Sequence, residues 1–236
     1  PFRNPFTGRM LVSLTVPVMS CVLKSCLANF TGLITIGRPV CLFEMKMSTA
    51  KDKILDAAAS MFYNQGINSS GINSIIARAS VAKMSLYNHF PTKADLVSAY
   101  IAARHQEWLD LYAKRAAAIT TPISGVLAVF DAYQDHAECE YENGFRGCGL
   151  LNAAAEFGAN TPERSAVNQH KQEVEAILAT HVRALAVNEA QVQHLSLLLS
   201  YLLEGAITRA GLEGSSAHIV NARAMAEALL AAEVPQ

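Results

Sequence analysis

From residue 48 onward apolar positions recur every three or four residues, and no stretch alternates with the two-residue period of a half-buried strand. The pattern predicts an all-α chain. Ile54, Leu55, Ala58, Met61 and Phe62 make the inner face of a helix over Ser48 to Gln65, with Ser48 or Thr49 as its cap, Asp52 in its first turn and Gly66 as its stop. Ile72, Ile75, Ile76 and Ala79 mark a second helix between Gly71 and Ser80, which Ser69 or Ser70 can cap. A third helix, Ala82 to Phe90, follows after a link of about three residues. In it Leu86 and Phe90 share a face, joined by Val81 just ahead, and that face must bury.

The opposite face of this third helix carries Lys83, Ser85, Tyr87 and His89, all able to donate a hydrogen bond to a phosphate or a base edge. So short a helix is not stable alone in water, so its neighbours must hold it. A short polar helix held out by a scaffold is what a DNA major groove accepts.

The remaining chain continues in helices. Pro91-Thr92-Lys93 opens a long one to about Ala118, with Thr92 as cap and Asp95 near its start. Pro122 to about Glu140 is amphipathic, Tyr141 to Gly149 is a loop, and Leu150 to Phe157 is a short helix broken by Gly158 and Pro162. Glu163 to Val187, Glu189 to Leu212 and Ser216 to Ala232 complete the set. The helix from Glu189 to Leu212 is apolar nearly all round, so two of its faces must bury, one inward and one against a partner. Arg209 and Glu204 are a candidate ion pair, across or within the interface.

The segment 82–93 and its approach resemble the TetR family of transcriptional regulators. The carrying residues are Ile76-Ala77, Ala79-Ser80-Val81, Lys83, Leu86-Tyr87, His89-Phe90-Pro91 and Lys93 with Leu96, within a match from Ile54 to Leu96. Two positions depart from the family pattern. Ser80 stands where the turn usually has Gly, so it must adopt a backbone that glycine accepts more readily. Met84 stands where a small residue is common.

The resemblance implies a helix-turn-helix DNA-binding domain over residues 47–95 and a helical ligand-binding and dimerisation domain over residues 96–236. It implies that Tyr87, His89 and Lys93 hold phosphates while Lys83, Met84 and Ser85 face bases, and that Lys51 touches phosphate from the first helix. Chemistry supports such a division: Lys83 can donate to a guanine edge, and Ala82 or Met84 can lie on a thymine methyl. Asn73 and Ser74 lie near a helix start, where backbone amides attract phosphate. The partners expected are a palindromic double-stranded operator, a small-molecule effector and a second copy of the chain, met through the last two long helices. No cofactor is expected.

Composition changes this picture little. Apolar residues are 51% and aromatics 7% of 236. The net charge of −1 conceals +4 over residues 1–46, a mildly basic head at +2 over residues 47–95, and a body at −7 over residues 96–236, which suits nucleic acid at one end only. The five cysteines form no Cys-x-x-Cys pair and no zinc spacing; Cys139 and Cys148 read as reduced thiols of a cytoplasmic protein, with a redox pair as the sharper alternative.

The effector cavity is expected among the large or polar residues on the inner faces of the later helices: Trp108, Tyr112, Phe130, Tyr133, Cys148, Asn152, Glu156 and Tyr201. Few charges lie among them, which favours a small, mainly apolar ligand with one or two polar handles. The run Phe145-Arg-Gly-Cys-Gly-Leu-Leu-Asn-Ala-Ala-Ala-Glu156 resembles a segment at the cavity wall in one branch of the family.

Residues 1–46 differ from the rest. Their apolar run is broken by Pro17, Lys24 and Asn29, short of the roughly 20 residues that span a membrane. A signal or membrane segment, a genuine extension and upstream sequence outside the natural start all remain open, the last favoured because the family likeness begins after Met47. Two rival functions stand beside the regulator: an all-helical enzyme, for which no nucleophile elbow, phosphate loop or His-x-x-x-His pair is present, and a membrane-tethered regulator using the leader.

Overall fold

The computed structural model describes residues 49–186 and 188–233; the expectations for residues 1–46 and for a Ser48 cap lie outside them. The described residues are all helix, turn and loop. Three helices form the head: α1 (Ala50–Gln65), α2 (Ile72–Ala79) and α3 (Lys83–His89). Thr49 and Asp52 close a capping box at the start of α1, each side chain satisfying an amide of the other residue. Gly66 ends the helix at φ 92, a backbone that L side chains rarely adopt. Ile54, Ile75 and Leu86, one from each helix, are fully buried, with Leu96 of the next helix joining them.

The α2 start differs from expectation. Gly71 is the N-cap and no side chain caps it; the Ser70 hydroxyl instead donates back to the Gly66 carbonyl at 2.6 Å, tightening the α1–α2 turn. The α2–α3 turn is as expected: Ser80 sits at φ 53, ψ 45, a left-handed conformation, and its amide donates to Ala77 and Ile76 carbonyls.

α4 (Lys93–Ala116) grows out of the head behind a second capping box, Thr92 with Asp95. It lies along α5 (Pro122–Glu138), α7 (Pro162–Arg183) and, at its beginning, α1. The short α6 (Gly149–Ala154) touches α1, α4 and α7, while α8 (Glu189–Glu213) and α9 (Ala217–Glu233) lie against α7 and α5 respectively and along each other. Phe130, Tyr133, Leu178, Leu195, Leu199, Leu203 and Ile207 are among the large side chains buried between them.

By length and hydropathy α8 could cross a membrane. In the fold, one face of it is core, and the other leaves Leu197, Leu198, Tyr201 and Leu212 exposed. Within the chain, Arg209 and Glu204 do not pair with each other. Arg209 meets Glu213 one turn on at 3.3 Å, and Glu204 reaches inward to Lys171 at 2.7 Å.

Candidate nucleic-acid interface

The reading surface is built on α3. Leu86 and Phe90 are pinned in the head core, which fixes the roll of the helix and turns its other side outward. Ala82, Lys83, Met84, Tyr87 and His89 are exposed and Ser85 is half-buried. Met84 is 69% exposed, an apolar side chain with no protein surface to cover it. Asn73 and Ser74 on α2 and Lys51 on α1 are exposed as well. Together they offer ammonium, hydroxyl, imidazole and amide donors from three helices.

Lys93 is different. It is half-buried, and its Nζ donates to the Ile67 carbonyl at 2.6 Å. In this arrangement its charge closes the α1–α2 turn rather than pointing outward. The departure from a pure phosphate contact follows from α4 beginning directly beneath that turn.

The segment from Tyr141 to Glu156 forms a strap across the back of the head. Glu142 Oε2 accepts from the Ser60 hydroxyl and from Arg78, both at 2.6 Å. Arg146 donates to the Tyr63 and Asn64 carbonyls at 2.6 and 2.7 Å, and the Tyr63 hydroxyl donates to the Gly147 carbonyl at 3.1 Å. Glu156 accepts from the backbone amides of Ile67 at 2.6 Å and Asn68 at 2.7 Å. Glu156, expected in the cavity, therefore grips the head: the turn at Gly66 frees two amides that α2 cannot satisfy, and a carboxylate is the strongest acceptor for them. Asn152 also serves the strap, donating to the Arg146 carbonyl at 3.2 Å. At its other edge the strap rests on α8, where a Cβ added to Gly211 would lie 2.4 Å from Gly147 Cα.

Three of the expected cavity residues do meet. Trp108, Tyr133 and Cys148 line a small internal space of about 10 Å³ with Arg104, His136, Gly149, Leu150 and His170. The Trp108 Nε1–H is buried without an acceptor. Its ring lies 5.2 Å from Tyr133 and 5.5 Å, edge-on, from His170. Phe130 is core and does not reach the space. Tyr112 pairs its hydroxyl with His181 Nε2 at 2.8 Å. Tyr201 is 64% exposed on the outer face of α8, a correction to its expected inward placement: on a helix apolar all round, periodicity does not say which face turns in.

Polar residues that the sequence reading passed over complete this interior. Lys171 Nζ lies 2.7 Å from Glu204, 3.4 Å from the Tyr133 hydroxyl and 3.7 Å from Cys148 Sγ. Burial opposes its charge, but Tyr133, Cys148 and Glu204 together raise its pKa above the usual lysine value. His136 and His170 are pushed down to about 3, first by burial and then by nearby cations, Arg104 and Lys171 for His136 and Lys171 for His170. Both are therefore neutral near pH 7. Cys148 is a free, buried thiol. Among the described residues no group of three or more His, Cys, Asp or Glu side chains could hold a metal ion.

A three-helix head whose short third helix is pinned from behind and offers exposed donors is a helix-turn-helix DNA-binding protein in form. Two family profiles match this chain: bacterial regulatory proteins of the tetR family over residues 54–100, and the tetracyclin repressor-like C-terminal domain over residues 122–226. The chain belongs to the TetR family of transcriptional regulators. It is 26% identical over 164 residues to the HTH-type transcriptional regulator LmrA of Bacillus subtilis, a match covering 69% of this chain and 87% of that protein. It is similar in structure to a TetR-family regulator from Streptomyces coelicolor, with a TM-score of 0.71 at 26% identity over 78% of this chain and 95% of the other. A TetR regulator from Chloroflexus aurantiacus shares the fold, with a TM-score of 0.67 at 21% identity over 78% and 96%.

Proposed function

We propose that this protein is a ligand-responsive repressor that binds a palindromic operator as a homodimer and lets go when a small molecule enters its C-terminal half. The observation that carries the reading is α3: exposed donors and an exposed Met84 on one side, Leu86 and Phe90 locked in the core on the other. In this reading Lys83, Met84 and Ser85 face bases, while Tyr87, His89, Lys51, Asn73 and Ser74 hold phosphates and set the register. Lys93 positions the α1–α2 turn and reaches phosphate only if it leaves Ile67.

The outer face of α8, with Leu197, Leu198 and Tyr201, and Met225 of α9 supply an apolar surface for the second copy. A domain division near α4, with reading head before it and effector half after it, fits the strap's position between them. Function in the cytoplasm fits a regulator of this kind, and no catalytic role is part of the reading.

Selection of bound duplexes from a random DNA pool tests it. The expected product is an inverted repeat whose half-sites lie about 34–36 Å apart. Binding should weaken on the order of 10³–10⁵-fold from 50 to 200 mM salt if about six to ten phosphates are touched. Recovery of no common sequence, or of a single unrepeated site, would refute the dimeric operator reading.

A further inference from the structure

Cys148 occupies a place that the DNA-binding reading leaves without a task. It is the N-cap residue of α6, within the strap, between Gly147, whose carbonyl holds Tyr63, and Glu156, which holds Ile67 and Asn68. Two independent features of its surroundings call for the same kind of molecule. The first is the Trp108 Nε1–H, 2% exposed as a residue and lacking any acceptor; such a donor favours an incoming oxygen, because an unpaired buried N–H costs about 1–3 kcal/mol. The second is the Lys171 ammonium 3.7 Å from the sulfur, placed to stabilise negative charge as it develops on sulfur during attack on an electrophile. A conjugated carbonyl compound offers both partners: an oxygen for the indole and an electrophilic β-carbon for the thiol.

We propose that Cys148 is a covalent sensing site for small α,β-unsaturated carbonyl compounds, and that the adduct loosens the strap from the reading head. The proposal deepens the effector-release reading above and rests on it. In the reaction the sulfur forms a C–S bond to the β-carbon, the carbon–carbon π bond breaks, and the thiol proton ends on the α-carbon. No oxidant or reductant is consumed.

Space explains why the adduct would act as a signal. The cavity at the thiol is about 10 Å³, close to the room that one water requires. An added carbon chain does not fit without moving a wall, and overfilling a close-packed interior displaces backbone. The walls are α4 through Arg104 and Trp108, α5 through Tyr133 and His136, α6, and α7 through His170. Of these α6 belongs to the strap, whose bonds to the head through Glu142 and Glu156 are exposed or part-buried. Arg104 also lines the neighbouring surface groove beside Tyr63 and Tyr141.

The test uses the full-length protein and methyl vinyl ketone, with saturated 2-butanone as control, read by intact mass and by peptide mapping of all five cysteines. Methyl vinyl ketone is expected to add once at Cys148 before the other cysteines react, and to release DNA bearing the selected operator in step with that adduct. Lys171→Met is expected to slow the Cys148 adduct at least tenfold. Operator binding by Cys148→Ser and by Cys148→Ala, whatever its starting strength, is expected to be indifferent to the ketone.

Adducts confined to other cysteines, an unchanged rate in Lys171→Met, or release by 2-butanone as well would each overturn the proposal. A Cys148 adduct that leaves DNA bound would overturn the sensing role while the DNA-binding reading stands. Failure of the untreated protein to bind any selected DNA would instead sink the regulator reading, with the adduct still read by mass.

Discussion

Lys83 and Lys93 show how one residue type acquires two tasks within a dozen positions. Lys83 opens α3 on its exposed side, whereas Lys93 is turned back onto the Ile67 carbonyl. Lys83→Ala is expected to weaken operator binding about tenfold or more, the scale of one good base contact, with thermal unfolding unchanged; a gel-shift titration beside a melting curve checks both halves. His170 answers to pH instead. Its folded pKa, about 3, lies below the ordinary 6.5, so between those values the unfolded chain binds the extra proton. The stability it contributes is therefore complete above about 6.5 and is lost as pH falls through that window, by about 1.4 kcal/mol per pH unit for each such histidine. His136, pushed to about 3 by the same burial, adds an equal slope. Urea unfolding at pH 7.5, 6 and 5 should show the loss, and His170→Gln should remove roughly half of it.

At the scale of elements, the strap ties the later helices to the head. Its bonds to α1 and the α1–α2 turn are made by Glu142, Arg146 and Glu156, and none of these lies in the head itself. Glu156→Ala removes the acceptor for two backbone amides and is expected to destabilise the head by about 1–3 kcal/mol. Hydrogen exchange should speed up at Ile67 and Asn68 more than in α5 or α8. The helices themselves were readable from the sequence. The caps at Thr49 and Thr92 carry the expected side-chain bonds, Thr121 and Asn188 cap two later helices in the same way, and Ser80 shows the left-handed backbone that its place in the turn demanded. The strap was not readable, because it depends on contacts 64 to 89 residues apart in the chain, and neither periodicity nor composition records such distances. Glu156 and Asn152 look like cavity residues on a short helix until the turn at Gly66 is seen beside them.

For the whole molecule the open question is the outward face of α8. Leu198 is 40% and Tyr201 64% exposed, on a helix whose other side is wholly core. Tyr201→Glu is expected to place a charge in the proposed dimer seam. Sedimentation should then report a monomer at micromolar concentration, and operator affinity should drop at least a hundredfold because each head alone grips half a site. An unchanged dimer would move the seam elsewhere. That Tyr201 faces out could not be deduced from an evenly apolar helix; burial, not hydropathy, distinguishes its two sides.

The meeting of Gly211 with Gly147 has a mechanical meaning. With no side chain on either residue, main chain bears directly on main chain, and there is no rotamer to flex and absorb a push. A nudge to either part passes to the other undamped, like a rod against a rod. The helix proposed to join two copies is thus in rigid touch with the belt that steadies the head, and in the proposed dimer whatever slackens the belt would be felt at the seam.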